Sequence, residues 1–220
     1  MGWANKLIGW TTNTGAEVNS DGSLRVSDGG PAGPNYTVST KTGLIGAAAA
    51  AGAAVYAMRL NPGSSKKAYI EAIKIRWTTT TAFTTPITAT RSIVVTRGAG
   101  AAASGGAAIA SATKKDSQYA SSQYDTALGG DIRIATTGAL TVTGITWEAT
   151  NLAELPLIHV GAAGAFYEHI FEFDARTHAL EINPGEVLGI RVGSSAMDAA
   201  GVWVLGVEVS WREGTTDVEA

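Results

Sequence analysis

The sequence predicts an all-β protein: an antiparallel β-sandwich of jelly-roll type with an extended N-terminal arm. Three observations carry this prediction. Long stretches of the 220-residue chain alternate apolar and polar side chains with period two, the pattern of half-buried strands. The tripeptide Asn-Pro-Gly occurs at Asn61 to Gly63 and again at Asn183 to Gly185, each time between two such stretches. Proline presets φ for the first central turn position and glycine accepts positive φ at the second, so both sites predict tight reversals and antiparallel pairing. Apart from one short candidate near Ala110 to Ala120, no sustained 3.6-residue period is present. That argues against crossover helices and parallel sheets.

Taken in order, residues 1–40 hold few apolar runs and many turn formers, such as Asn19-Ser-Asp-Gly22 and Asp28-Gly-Gly-Pro-Ala-Gly-Pro34. They predict an extended arm whose large anchors are Trp3, Trp10 and Tyr36. Aromatic side chains bury much apolar area once they find a partner, so this arm either packs on a neighbouring surface or folds back on its own domain. Thr42 to Met58 carries no charge. Its length is at the short limit for crossing a bilayer and Gly43, Gly46 and Gly52 weaken a helix, so a pair of Ala/Gly-rich strands with a turn is expected instead.

In Ala68 to Trp77, alternation puts Tyr69, Ile73, Ile75 and Trp77 on one face and Ala72, Lys74 and Arg76 on the other. Thr78 to Thr90 suits an exposed β-segment, because threonine is β-branched and its hydroxyl tolerates water. Further strands are predicted at Ser92 to Arg97, Asp131 to Ala135, Phe166 to Asp174 and Val187 to Val192, and a flexible loop at Gly98 to Gly106. The clearest strand is the last. Trp203, Leu205, Val207, Val209 and Trp211 share one side, and Gly206, Glu208 and Ser210 the other, which is exposed or meets a partner. Seven to nine such strands fill a sandwich over residues 41–213, followed by a flexible tail over 214–220.

Composition narrows the function classes. Sixteen basic against nineteen acidic residues give a net charge of -3 with no basic block, which argues against nucleic-acid binding. There is no cysteine, so disulfides and thiolate metal sites are excluded. The first ten residues lack the apolar core of a signal peptide and read as a mature cytoplasmic start; Lys6 breaks the myristoylation pattern. The glycine run after Arg97 has no Gly-Lys-Ser/Thr, and no Gly-x-Ser-x-Gly elbow occurs. On a strand His169 points with Phe171 and Phe173, away from Glu168, Glu172 and Asp174, so no His/carboxylate set follows, and His159 and His178 add none. Neither a catalytic residue nor a cofactor nor a small-molecule substrate is indicated. Arg176, in Phe173-Asp-Ala-Arg-Thr177, either pairs with Asp174 in a solvated turn or reaches across an interface.

The stretch Glu172 to Val192, with its Pro-Gly-Glu turn, and the closing strand Val202 to Trp211 with Glu213 resemble the C-terminal half of β-sandwich virion proteins of tailed bacteriophages. Weaker similarity covers Leu44 to Trp77. The resemblance implies a non-enzymatic capsid decoration or cement protein, made in the host cytoplasm and carried on the capsid surface. Its partners would be the major capsid protein and copies of itself, as a dimer or trimer. Trp3, Trp10, Tyr36 and Arg176 are the expected partner contacts, and a tail, neck or fibre component with a surface- or glycan-binding face is the alternative.

Overall fold

A computed structural model of the chain describes residues 17–18, 24–25, 34–46, 49–83, 91–157, 162–173, 180–198 and 200–215. The first two pieces, β1 (Glu17–Val18) and β2 (Leu24–Arg25), pair antiparallel. The remaining strands form two antiparallel sheets. The first contains β4 (Ala54–Arg59), β6 (Ser92–Gly100), β7 (Ala107–Ala108), β9 (Asp131–Ile134), β10 (Ile145–Trp147), β11 (Ala153–Pro156) and β14 (Glu186–Val192). The second contains β3 (Asn35–Lys41), β5 (Lys66–Thr81), β8 (Thr113–Lys114), β12 (Phe166–Glu172), β13 (Leu180–Ile182) and β15 (Val202–Thr215).

The strand order defines a jelly roll. In the first sheet β11 and β10 share one side of β6, followed by β14, β4 and β9; in the second the order is β12, β5, β15, β3. Counting β3, β4, β5, β6, β11, β12, β14 and β15 as the principal strands, the first pairs with the last, the second with the seventh, the third with the sixth and the fourth with the fifth. A long antiparallel ribbon wrapped on itself gives this nesting, so its two Greek keys close into a sandwich. The predicted all-β sandwich is therefore the observed fold.

Both Asn-Pro-Gly turns form, but neither makes a hairpin. Asn61 Oδ1 accepts from the Gly63 N–H at 2.9 Å, and the turn carries the chain from β4 in one sheet to β5 in the other. Gly185, at φ 81°, sits in the second turn, where Glu186 Oε2 accepts from the Asn183 N–H at 2.7 Å. That turn crosses from β13 to β14. The Leu60 N–H donates to Glu186 O and the Gly185 N–H to Leu60 O, so the two corners brace each other at one end of the sandwich. Near Ala110 to Ala120 there is no helix; the segment contains β8, and a three-residue 3-10 turn follows at Thr126–Leu128. Among the described residues, Thr42 to Met58 supplies one strand, not two, plus an isolated bridge from Ile45 to Trp203. Among the described residues no helix is long and apolar enough to cross a membrane.

The core lies between the inner faces. Tyr56, Met58, Ile132, Val95, Leu188 and Ile190 come from the first sheet, and Val38, Ile73, Ile75, Leu205, Val207 and Val209 from the second. Trp77 and Trp203 stack with centroids 4.3 Å apart and planes at 13°. All five apolar residues predicted to share one side of the closing strand are buried. In β5 the alternation changes phase: the register opposite β15 jumps from Ala72 to Ile70, leaving Glu71 as an extra residue. Beyond this bulge Ala68 and Ile70 are buried, so Tyr69 lies on the opposite face from the one its spacing predicts.

The two sheets differ in how much water they see. β5 alternates buried and half-buried residues, whereas Ala54 to Met58 in β4 and Val187 to Ile190 in β14 are buried on both faces. On the outer side of the first sheet Trp147 lies across Gly98 and Gly189. A Cβ on Gly189 would come within 2.5 Å of the indole, and one on Gly98 within 2.8 Å. The Arg191 guanidinium sits 4.7 Å from the same ring centroid. The glycine run is thus in part a strand, Gly98 to Gly100 belonging to β6, and Gly98 is needed for close approach, not for looseness. Gly189→Val is expected to unseat Trp147 and cost about 3 kcal/mol. Urea unfolding with tryptophan emission checks this: the midpoint falls and the folded emission shifts to the red.

Candidate interaction surface

Among the described residues no strand covers the outer side of the second sheet. Register across β12, β5, β15 and β3 aligns its residues in rows: Glu168, Arg76, Gly206, Lys41; then Ile170, Lys74, Glu208, Ser39; then Glu172, Ala72, Ser210, Thr37. Gly206, Ser210, Ala72 and Thr37 are the small residues of these rows. Four charges of this face are paired. Lys74 Nζ stands 2.9 Å and Arg76 Nε 2.7 Å from the Glu168 carboxylate, and Arg76 Nη2 lies 3.7 Å from Glu208. The ammonium of Lys74, then the guanidinium of Arg76, hold the Glu168 carboxyl below its usual range. Glu71, the bulged residue, binds Arg212 and lies 3.5 Å from Lys115. Exposed pairs of this kind stabilise a fold little, and what they set is the surface's charge pattern.

One border of this face is apolar. Phe166 is 60 % exposed, Ile170 44 % and Tyr167 38 %, and all three belong to β12, the end strand of the sheet. Register places Phe166, Glu168, Ile170 and Glu172 on the outer side and Tyr167, His169 and Phe171 on the inner side. The expected separation of His169 from Glu168 and Glu172 is therefore observed. Its ring makes an edge contact with Phe171, centroids 4.5 Å apart. Among the described residues no group of three His, Asp or Glu side chains is placed to hold a metal ion.

Of the predicted partner contacts, Tyr36 is placed elsewhere. It is fully buried in β3, stacked on Trp211 at 5.8 Å, and its hydroxyl donates to Ala120 O at 3.0 Å. The sandwich thus begins at Asn35, inside the stretch assigned to the arm, and β15 runs to Thr215, inside the stretch assigned to the tail. Tyr36 is a core residue because β3 lies beside the closing strand and its alternation turns the ring inward. Trp3, Trp10 and Arg176 lie outside the described residues, as do Asp174, His159 and His178.

The buried carboxylates have structural work. Glu213 is 1 % exposed and accepts from Ser122 Oγ at 2.6 Å, the Gln123 N–H at 2.9 Å and Trp211 Nε1 at 3.1 Å. Burial raises its carboxyl above the ordinary value, and those donors together with Lys66 counter part of the shift. Asp131 is likewise pushed up by burial, with Arg133 Nε opposing at 3.0 Å. Spacing alone hides both roles, since each depends on a loop or strand distant in sequence. The only sequence signal is the Trp-x-Glu ending of the last strand.

No protein-family model and no curated protein matches the chain. Fold and surface define its class: a jelly-roll β-sandwich with one sheet buried on both faces and the other half-buried on its outer face.

Proposed function

We propose that this protein is a structural component of a tailed-bacteriophage particle, a decoration or cement protein that binds and stabilises the capsid shell. The observation that supports this best is the asymmetry of the sandwich. One sheet is closed by Trp147 and its surroundings, while the other offers a face with paired charges bordered by exposed Phe166 and Ile170. Such a block suits one-sided attachment, in which many copies with modest individual contacts stiffen a shell through multivalency. The resemblance of residues 165–213 to virion sandwich proteins agrees with it. Trp3, Trp10 and Arg176 stay with this proposal as partner contacts.

The test is reconstitution with shells lacking the protein. Attachment in stoichiometric proportion to the major capsid protein is expected, together with a higher temperature of shell disruption. Arg76→Glu, which sets a third carboxylate beside Glu168 and Glu208, is expected to weaken attachment about tenfold while changing fold stability by less than about 1 kcal/mol. Absence from purified shells would sink the proposal. Recovery only with tails or necks, in few copies, would move the protein to that part of the particle.

A further inference from the structure

We infer that β12 is a self-association edge: two copies of this chain pair their β12 strands antiparallel across a two-fold axis through His169, joining their second sheets into one. The inference stands apart from the shell proposal, since a dimer that ignores capsids would leave it intact.

The strand ends of the two sheets are not equivalent. β7 and β8 are two residues long, β10 is three, and β11 is four and ends on Pro156. Short strands and proline are the usual ways of blunting an edge. β12 has neither. It keeps unbroken register with β5 over seven residues, Phe166 to Glu172, and contains no proline. Three of the five exposed large hydrophobics among the described residues sit on it.

Its backbone is also available. Ala165 O accepts from the Thr79 N–H, and the Phe173 N–H donates to Glu71 O, so the odd-numbered residues direct their groups at β5. By the alternation of an antiparallel ladder, the N–H and C=O groups of Phe166, Glu168, Ile170 and Glu172 point away from it. Among the described residues no strand lies on that side.

Self-pairing keeps inner face with inner face only if opposed residues share parity, so the axis must pass through a residue. Through Glu168 it would set that carboxylate against its own copy, and through Ile170 it would oppose Glu168 to Glu172. Through His169 all seven residues pair and no carboxylate faces another: Glu168 opposes Ile170, Glu172 opposes Phe166, and Tyr167 opposes Phe171. Every free backbone group of the even-numbered residues then meets its complement. On the outer side Ile170 lies diagonal to its own copy and to Phe166, which covers the exposed apolar atoms. Lys74 and Arg76 already neutralise Glu168 within each copy.

Sedimentation velocity of the full-length protein over a wide micromolar range tests this. A concentration-dependent dimer is expected. Ile170→Pro removes an N–H that β5 does not use, so it should leave the fold intact and weaken the dimer about tenfold or more. Ile170→Glu opposes a carboxylate to Glu168 of the second copy and should weaken it similarly, whereas Ile170→Lys opposes a cation to it and should keep the dimer. A chain monomeric at every concentration overturns the inference; this is the expected behaviour if the chain's own residues 1–33 cover the edge. A dimer indifferent to Ile170→Pro and Ile170→Glu, or equally weakened by Ile170→Glu and Ile170→Lys, overturns it as well. Melting curves of each variant separate loss of pairing from loss of fold.

Discussion

Trp211→Ala is expected to lower the unfolding free energy by about 4 kcal/mol, within the range for truncating a fully buried tryptophan. The indole is stacked on Tyr36 and meets the edge of Tyr124 at 5.2 Å, with planes at 81°. Its N–H is also spent on Glu213. Truncation opens a cavity between β3, β15 and the loop that carries Tyr124, and those elements are too firmly paired to collapse into it. In a chain of this length each kcal/mol moves the melting temperature by roughly 2–4 °C, so a fall of about 10 °C is expected. Trp211→Phe keeps an aromatic ring against Tyr36 and loses the hydrogen bond, which should cost about half as much. A loss below about 1 kcal/mol for the alanine variant would show that this cluster is not a core.

Glu213→Ala should cost about 3 kcal/mol, because it strands the Ser122 hydroxyl, the Gln123 N–H and the Trp211 N–H without their acceptor. Glu213→Gln is a milder change. The three donors all reach Oε1, while Oε2 is approached only by the shared Gln123 N–H at 3.0 Å, so an amide oxygen at the first position can keep them.

The comparison of wild type with Glu213→Gln carries a pH signature. Burial raises the folded carboxyl above its ordinary value of 4.5. A group whose folded pKa is raised favours the folded state fully below the unfolded value, and that contribution is lost as pH climbs through the folded one. Wild-type stability relative to Glu213→Gln should therefore be greatest at acid pH and decline upward from about pH 4.5. Melting temperatures of the pair between pH 4 and 8 measure it, and a difference that grows with pH would contradict the assigned burial.

Alternation identified most of the principal strands because a residue's side on a strand depends on counting alone. Counting fails wherever the backbone adds a residue. Glu71 is such a place, and it put Tyr69 on the wrong side. Turn chemistry placed both Asn-Pro-Gly reversals. Whether a reversal joins paired strands or crosses between sheets depends on partners far away in sequence, and here both cross. Charge and apolar content of β12 were equally visible, yet nothing local says that β12 ends its sheet.

The all-β class, the positions of the two Asn-Pro-Gly turns and the two-sided character of the closing strand were written in the sequence, since these follow from φ preference and period-two alternation along a few residues. It took the folded structure to show that Tyr36 is core, that Glu213 ties Ser122 and Gln123 to Trp211, that Gly98 and Gly189 seat Trp147, and that β12 ends its sheet among the described residues. Each of these is a matter of which distant strands become neighbours. In a jelly roll the nearest neighbour in space is the far end of the chain, β3 beside β15, so the physics that fixes a side chain's role is read from nested pairing and not from spacing.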